Sequence, residues 1–169
     1  MVRFVSETYL AGVSRYEMKM FFDNETNNVL SVKKIVKIDK PFTLNEDGHL
    51  IKILDDGYFV VEIVPLGENY VARVHFDEKG KLIEWFFTMT GGNEMKEGVP
   101  AYEDLKLSYV CTNFGRKVYN QERFDAFLQN GQISKETHTN ILGKFDALKN
   151  SIDCEKNEVY NSCYEKYLF

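Results

Sequence analysis

Hydrophobic and polar positions along this chain change period once, near residue 120. Before that point, short apolar runs alternate with clusters of turn-forming residues; after it, apolar residues recur every three or four positions. Residues 16–22 alternate and read as a strand, with a helix as the alternative. Asp23 to Asn28 is a polar turn cluster, and residues 29–38 are rich in strand-forming side chains up to Asp39-Lys40-Pro41. Asn45-Glu46-Asp47-Gly48 marks another turn. Asp55-Asp56-Gly57 between apolar runs 50–54 and 58–64 predicts a hairpin, and Asp77 to Lys81 between runs 70–76 and 82–87 predicts a second. An aromatic strand over 85–90 then leads into a Gly-rich stretch through Gly91, Gly92 and Gly98 to Pro100, read as a lid or a connection. Residues 101–111 form the next strand, and a turn over 112–115 precedes a short run ending at Tyr119.

The last part has helical spacing. Asn120 is a candidate N-cap for an apolar stripe of Phe124, Phe127 and Leu128 that Gly131 ends. Ser134 can cap a second helix with Ile141, Leu142, Phe145, Leu148 and Ile152 on one face. A third stripe pairs Val159/Tyr160, Cys163/Tyr164 and Tyr167/Leu168. The pattern predicts one α+β domain over 1–169: a small antiparallel β-barrel or sandwich over about 1–119, with C-terminal helices over about 120–169. Short helices like these need the sheet or each other to cover their apolar stripes.

A length of 169 residues suffices for a real core, and 44% hydrophobic content argues against disorder. The net charge of −5 argues against a nonspecific binder of nucleic-acid backbones. No apolar run long enough to cross a membrane as a helix occurs, and residues 1–7 lack the apolar core of a signal peptide. Cys111, Cys154 and Cys163 have neither zinc-site nor disulfide-framework spacing, so reduced thiols and a cytoplasmic location are expected.

Asp104-Leu105-Lys106-Leu107, Asn113-Phe114-Gly115-Arg116 and the segment from Asn120 to Ser134, behind a Trp-aromatic strand, carry a resemblance. In this order they resemble the FomD-like barrel family, also known as domain of unknown function 402, which includes nucleoside tri- and diphosphate phosphatases. The resemblance implies a small β-barrel with C-terminal helices and hydrolysis of nucleotide phosphates with a divalent metal. Mg²⁺ or Mn²⁺ would be held by carboxylates and would bridge phosphate oxygens. It implies Asp104 and Glu122 as metal ligands, Asp104 and Lys106 as catalytic groups, and Thr88 and Lys106 as substrate contacts. The sequence departs from the family pattern in having Ser108 at the strand's second Asp position. It also has Asn120-Gln121-Glu122-Arg123 where an acidic run opens the helix, and Phe86 and Thr88 where Tyr and Asn stand.

Each candidate has a plainer reading. Asp104 and Lys106 share a strand face opposite Leu105, Leu107 and Tyr109, which also describes a solvated face with a weak ion pair. Glu122 in a first helical turn is favoured by the helix dipole alone, and Thr88 needs no explanation in a strand. Lys33, Lys34 and Lys37 read as phosphate contacts or as lysines protecting an edge strand. Tyr58, Phe59, Tyr70, Trp85, Phe86 and Phe87 read as core before they read as a stacking wall. His75 is expected to be satisfied or exposed. Two functions stay open: a metal-dependent nucleoside di- or triphosphate phosphohydrolase, or a catalytically depleted relative that binds a nucleotide, RNA or protein. The expected partner is a nucleotide or another phosphate-bearing small molecule.

Overall fold

The computed structural model describes residues 1–5 and 10–169. The strands are β1 (Val2–Phe4), β2 (Val13–Asp23), β3 (Asn28–Ile38), β4 (Phe42–Glu46), β5 (His49–Leu54), β6 (Phe59–Pro65), β7 (Tyr70–Phe76), β8 (Leu82–Lys96), β9 (Val99–Thr112) and β10 (Gly115–Tyr119). Helices α1 (Gln121–Gln129), α2 (Lys135–Asp153) and the short α3 (Glu158–Asn161) follow, with a 3₁₀ turn over Glu165–Tyr167. The main sheet is antiparallel in the order β1-β9-β8-β7-β6-β3-β2. It curls into a half-barrel. β9 is long enough for β1 and β10 to share its outer edge, β1 at Ala101–Glu103 and β10 at Ser108–Thr112. The α+β class expected from the sequence is the observed one.

Side-chain alternation divides the sheet. Leu30, Val32, Val61, Ile63, Val74, Trp85, Phe87, Leu105, Leu107 and Cys111 face the helices and form one cluster with Phe124, Ile141, Phe145, Leu148 and Ile152. Trp85 and Phe87 stack at 5.5 Å, so these aromatics are core. On the opposite face, Ile35 and Val60 pack with Ile53 and Leu54 of the β4–β5 hairpin, and Val64, Val71 and Tyr102 pack with Val5. Between those clusters the opposite face is polar.

Several local expectations change. Asp55-Asp56-Gly57 is a turn, but it does not close a hairpin: β5 pairs with β4, and β6 with β3 and β7. Asp56 instead accepts from Ile38 N–H at 2.8 Å, and Gly57 N–H donates to the Ile35 carbonyl, tying the turn to β3. The Gly-rich stretch is no lid, because β8 runs through Gly91 and Gly92, with register shifts there against β9. Asn120 lies in the left-handed region (φ 61°) and makes no side-chain cap. Ser134 does cap α2, accepting from Thr137 N–H at 3.0 Å. The third stripe is broken into α3 and the 3₁₀ turn because Ser162, between them, is extended. The Asp77–Lys81 hairpin between β7 and β8 forms as expected. No helix among the described residues is long and apolar enough to cross a membrane.

Candidate functional site

Two charged side chains sit inside otherwise apolar strands, Glu62 in β6 and Arg73 in β7, directly across from each other. Both point away from the helices. Arg73 Nε donates to Glu62 Oε2 at 2.6 Å, and Arg73 also donates to the Tyr102 hydroxyl at 2.8 Å. The Tyr102 hydroxyl donates to the same Glu62 oxygen at 3.2 Å. Glu62 is 3% exposed and Lys33, on neighbouring β3, is 5% exposed. Burial alone would raise the Glu62 carboxyl. The positive charges of Arg73 and Lys33, with hydrogen bonds from Arg73 and Tyr102, outweigh it and hold the group below its ordinary value. Burial pushes the Lys33 ammonium down, Glu62 opposing and Arg73 reinforcing that shift. Burial, then the Glu62 charge, pushes the Tyr102 hydroxyl well up, so it stays a proton donor at any physiological pH.

The network continues through β1. Arg3 is the register partner of Tyr102 and reaches Asp104 Oδ2 at 3.0 Å. Lys106 Nζ reaches the same oxygen at 3.1 Å, while the Lys106 backbone N–H donates to Asp104 Oδ1 at 2.8 Å. Lys106 has φ +71°, within an irregularity where Thr88 pairs with Ser108 but Thr90 already pairs with Asp104. Such a bulge re-aims a side chain and stores strain that its surroundings must hold. Ser108 Oγ, donating to the Lys106 carbonyl at 2.6 Å and lying 3.1 Å from Thr88 Oγ1, does that here. Exposure rises along the network, from 4% for the Glu62 side chain through 14% for Arg73 and 18% for Arg3 to 32% for Lys106. Among the described residues the network joins Lys33, Arg73, Arg3 and Lys106 with Glu62 and Asp104, and it is most exposed at the Arg3–Lys106 end.

A second polar group lies further along β7 and β8. His75 Nδ1 is 3.2 Å from Glu84 Oε1, yet the two are not aligned for a hydrogen bond, and both residues are 5% exposed. The Tyr119 hydroxyl donates to Glu46, which also meets Lys117 at 3.0 Å. Burial, then the bond to Glu46, pushes Tyr119 up to about 12. These contacts join β10 to the β4–β5 hairpin.

Of the residues predicted from sequence, Asp104, Lys106 and Thr88 come together around the bulge, on one sheet face as period two requires. Glu122 lies exposed in the first turn of α1, and no contact among the described residues links it to Asp104. The three lysines separate: Lys33 turns into the buried network, Lys34 lies over the Phe59 ring at 5.7 Å, and Lys37 pairs with Asp56. β3 is interior to the sheet, so the edge-strand reading is corrected. Arg3, Glu62, Arg73 and Tyr102 were not singled out. The available signal was a lone charge at the centre of an apolar strand in each of β6 and β7, which must find a partner when buried.

The residues around Asp104 do not fit a divalent metal. Both of its oxygens are engaged, one by two cations and the other by a backbone N–H. Among the described residues no group of three or more His, Cys, Asp or Glu side chains is placed to hold a metal.

No protein-family model matches the chain, and no curated protein matches it. Among solved structures, its fold is that of FomD in complex with CDP, with a TM-score of 0.61, 14% identity, and coverage of 85% of this chain and 78% of FomD. A second similar structure is the phosphatase SC4828 with the non-hydrolysable nucleotide GPCP. It has a TM-score of 0.59 at 11% identity, covering 90% of this chain and 87% of the phosphatase. At these identities the likeness defines a FomD-like fold.

Proposed function

We propose that this chain binds the phosphate groups of a nucleoside di- or triphosphate on the sheet face away from the helices, as a binding module without metal-dependent turnover. The observation that carries this reading is the side-by-side placement of the Arg3 guanidinium and the Lys106 ammonium, both on Asp104 Oδ2, at the more exposed end of the network. Guanidinium and ammonium groups donate charge-assisted hydrogen bonds to phosphate oxygens, and the guanidinium matches their geometry. Two proteins of this fold were solved with a nucleotide, CDP in FomD and GPCP in SC4828, which supports the ligand class. The overall charge of −5 opposes a long polyanion such as RNA and favours a small ligand steered to a local basic site.

The phosphohydrolase reading, with Asp104 and Glu122 as metal ligands, has less support, since Asp104 is occupied by cations and Glu122 stands apart. The test is calorimetric titration of nucleosides and their mono-, di- and triphosphates, with phosphate release followed in parallel. Binding that strengthens with phosphate number and weakens with salt, without release, supports the proposal. Equal affinity for nucleoside and diphosphate, or turnover abolished by chelation, refutes it.

A further inference from the structure

We infer that β2 pairs with the β2 of a second copy of this chain, antiparallel about Met18, so that two sheets join edge to edge in a dimer. Nucleotide binding on the sheet face and pairing at the sheet edge are independent of each other.

β2 ends the sheet order, and among the described residues no strand pairs with its outer edge. At Val13–Asp23 it is as long as its inner neighbour β3. An open edge of that length offers a row of backbone N–H and C=O groups to another strand, and native edges are guarded against this by bulges or charged side chains. Here the register with β3 shifts only between Val13 and Tyr16, and the ladder from Tyr16 to Asp23 is regular. Within that regular part the exposed charges are Glu17 and Lys19. Asp23 is held by the following turn, where it accepts from the Glu25 N–H at 3.0 Å and the Thr26 hydroxyl at 2.6 Å.

Charges guard an edge against a second copy only where like meets like. With Met18 opposite its own copy on a two-fold axis, Glu17 faces the partner's Lys19 and Lys19 faces the partner's Glu17. Tyr16 and Met20 face each other across the same join. Directly opposed residues share a sheet face, so both ion pairs fall on the helix side and the apolar pairs on the other. On that other side Tyr16 packs with the Ile35 cluster and Met20 with the Val64 cluster, so the join continues the apolar packing of each copy into the next. The axis stands perpendicular to the joined strands, which leaves the polar faces of both copies on the same side.

Other registers are worse. A slip of one residue sets the charged row of one copy against the apolar row of the other. A slip of two sets Glu17 against its own copy in one direction and Lys19 against its own copy in the other, and like charges directly opposed are destabilising. Glu17 has no ion pair among the described residues, and Lys19 lies over the Phe169 ring at 4.3 Å, so neither breaks a salt bridge to form the new pairs.

A join of one strand pair is at the small end of specific interfaces, so monomer and dimer exchange with concentration. Analytical ultracentrifugation of the full chain, up to about 100 µM and at low salt, reads that equilibrium. Glu17→Lys and Lys19→Glu each turn two attractive pairs into repulsive ones and weaken association about tenfold or more. Mixed in equal amounts, these two variants oppose unlike charges at both positions and associate about as tightly as wild type, as the double variant does with itself. Both positions are exposed, so the variants keep the wild-type melting temperature, which is measured alongside. A wild-type chain that stays monomeric over this range overturns the inference, and so does a dimer that both single variants leave intact. Folded single variants that do not associate when mixed overturn it as well.

Discussion

Replacing Glu62 by Gln keeps the side chain's shape and removes one negative charge from the centre of the buried network. Arg73 loses a bond of 2.6 Å to an ionised oxygen, and Lys33 loses the carboxylate that offsets its burial. Breaking a buried pair from one side costs about 3–5 kcal/mol, because the remaining cations keep their desolvation and lose their compensation. That is a large share of the 5–15 kcal/mol that holds a typical domain folded. In a chain of this size it lowers the melting temperature by roughly 6–20 °C, at about 2–4 °C per kcal/mol. Calorimetric melting at neutral pH and low salt reads it directly. The sign with pH follows from the shift: Glu62 is depressed in the folded state, so its contribution is complete above the unfolded value of about 4.3 and fades as pH falls below it. The wild-type advantage over Glu62→Gln shrinks over that acidic range. A loss under about 0.5 kcal/mol, the range of a surface substitution, would refute the buried-network reasoning.

Two further outcomes follow from contacts outside the network. Ser134→Ala removes the side-chain acceptor for Thr137 N–H and costs about 1 kcal/mol, measured by urea denaturation; no loss would mean α2 does not depend on that cap. Burial pushes the Cys111 thiol up to about 11, whereas Cys154 and Cys163 are exposed. A thiol reagent at neutral pH therefore modifies two cysteines of the folded protein and the third only on unfolding; rapid reaction of all three contradicts the packing of β9.

Most of the fold was legible because its signals are local. Alternation and turn residues marked β2, β3 and the β7–β8 hairpin, and the helical stripes marked α1 and α2. Where partners are distant, local signals failed. Asp-Gly reported a turn after β5 but not that β6 would pair with β3, a partner distant in sequence. Gly91 and Gly92 read as a loop, although a strand can carry glycines through a bulge. The site was half legible. Asp104, Lys106 and Thr88 lie in one stretch near the bulge. Arg3, Lys33, Glu62, Arg73 and Tyr102 come from five separate strands, and only sheet register brings them together. A run of three lysines resembles a solvated strand, which hides Lys33 in the sequence. Its burial depends on β3 being interior.

Lys106→Gln tests the central claim most directly, because a partly exposed residue kept for ligand binding rather than for the fold separates the two readouts. Asp104 keeps its ion pair with Arg3 when the Lys106 ammonium is removed, and Lys106 itself is 32% exposed, so the fold loses little. The account predicts that Lys106→Gln melts within about 4 °C of wild type and binds ADP about tenfold or more weakly. A variant that binds ADP as tightly as wild type would show that Lys106 serves only its ion pair with Asp104, and would contradict the assignment of this face to phosphate.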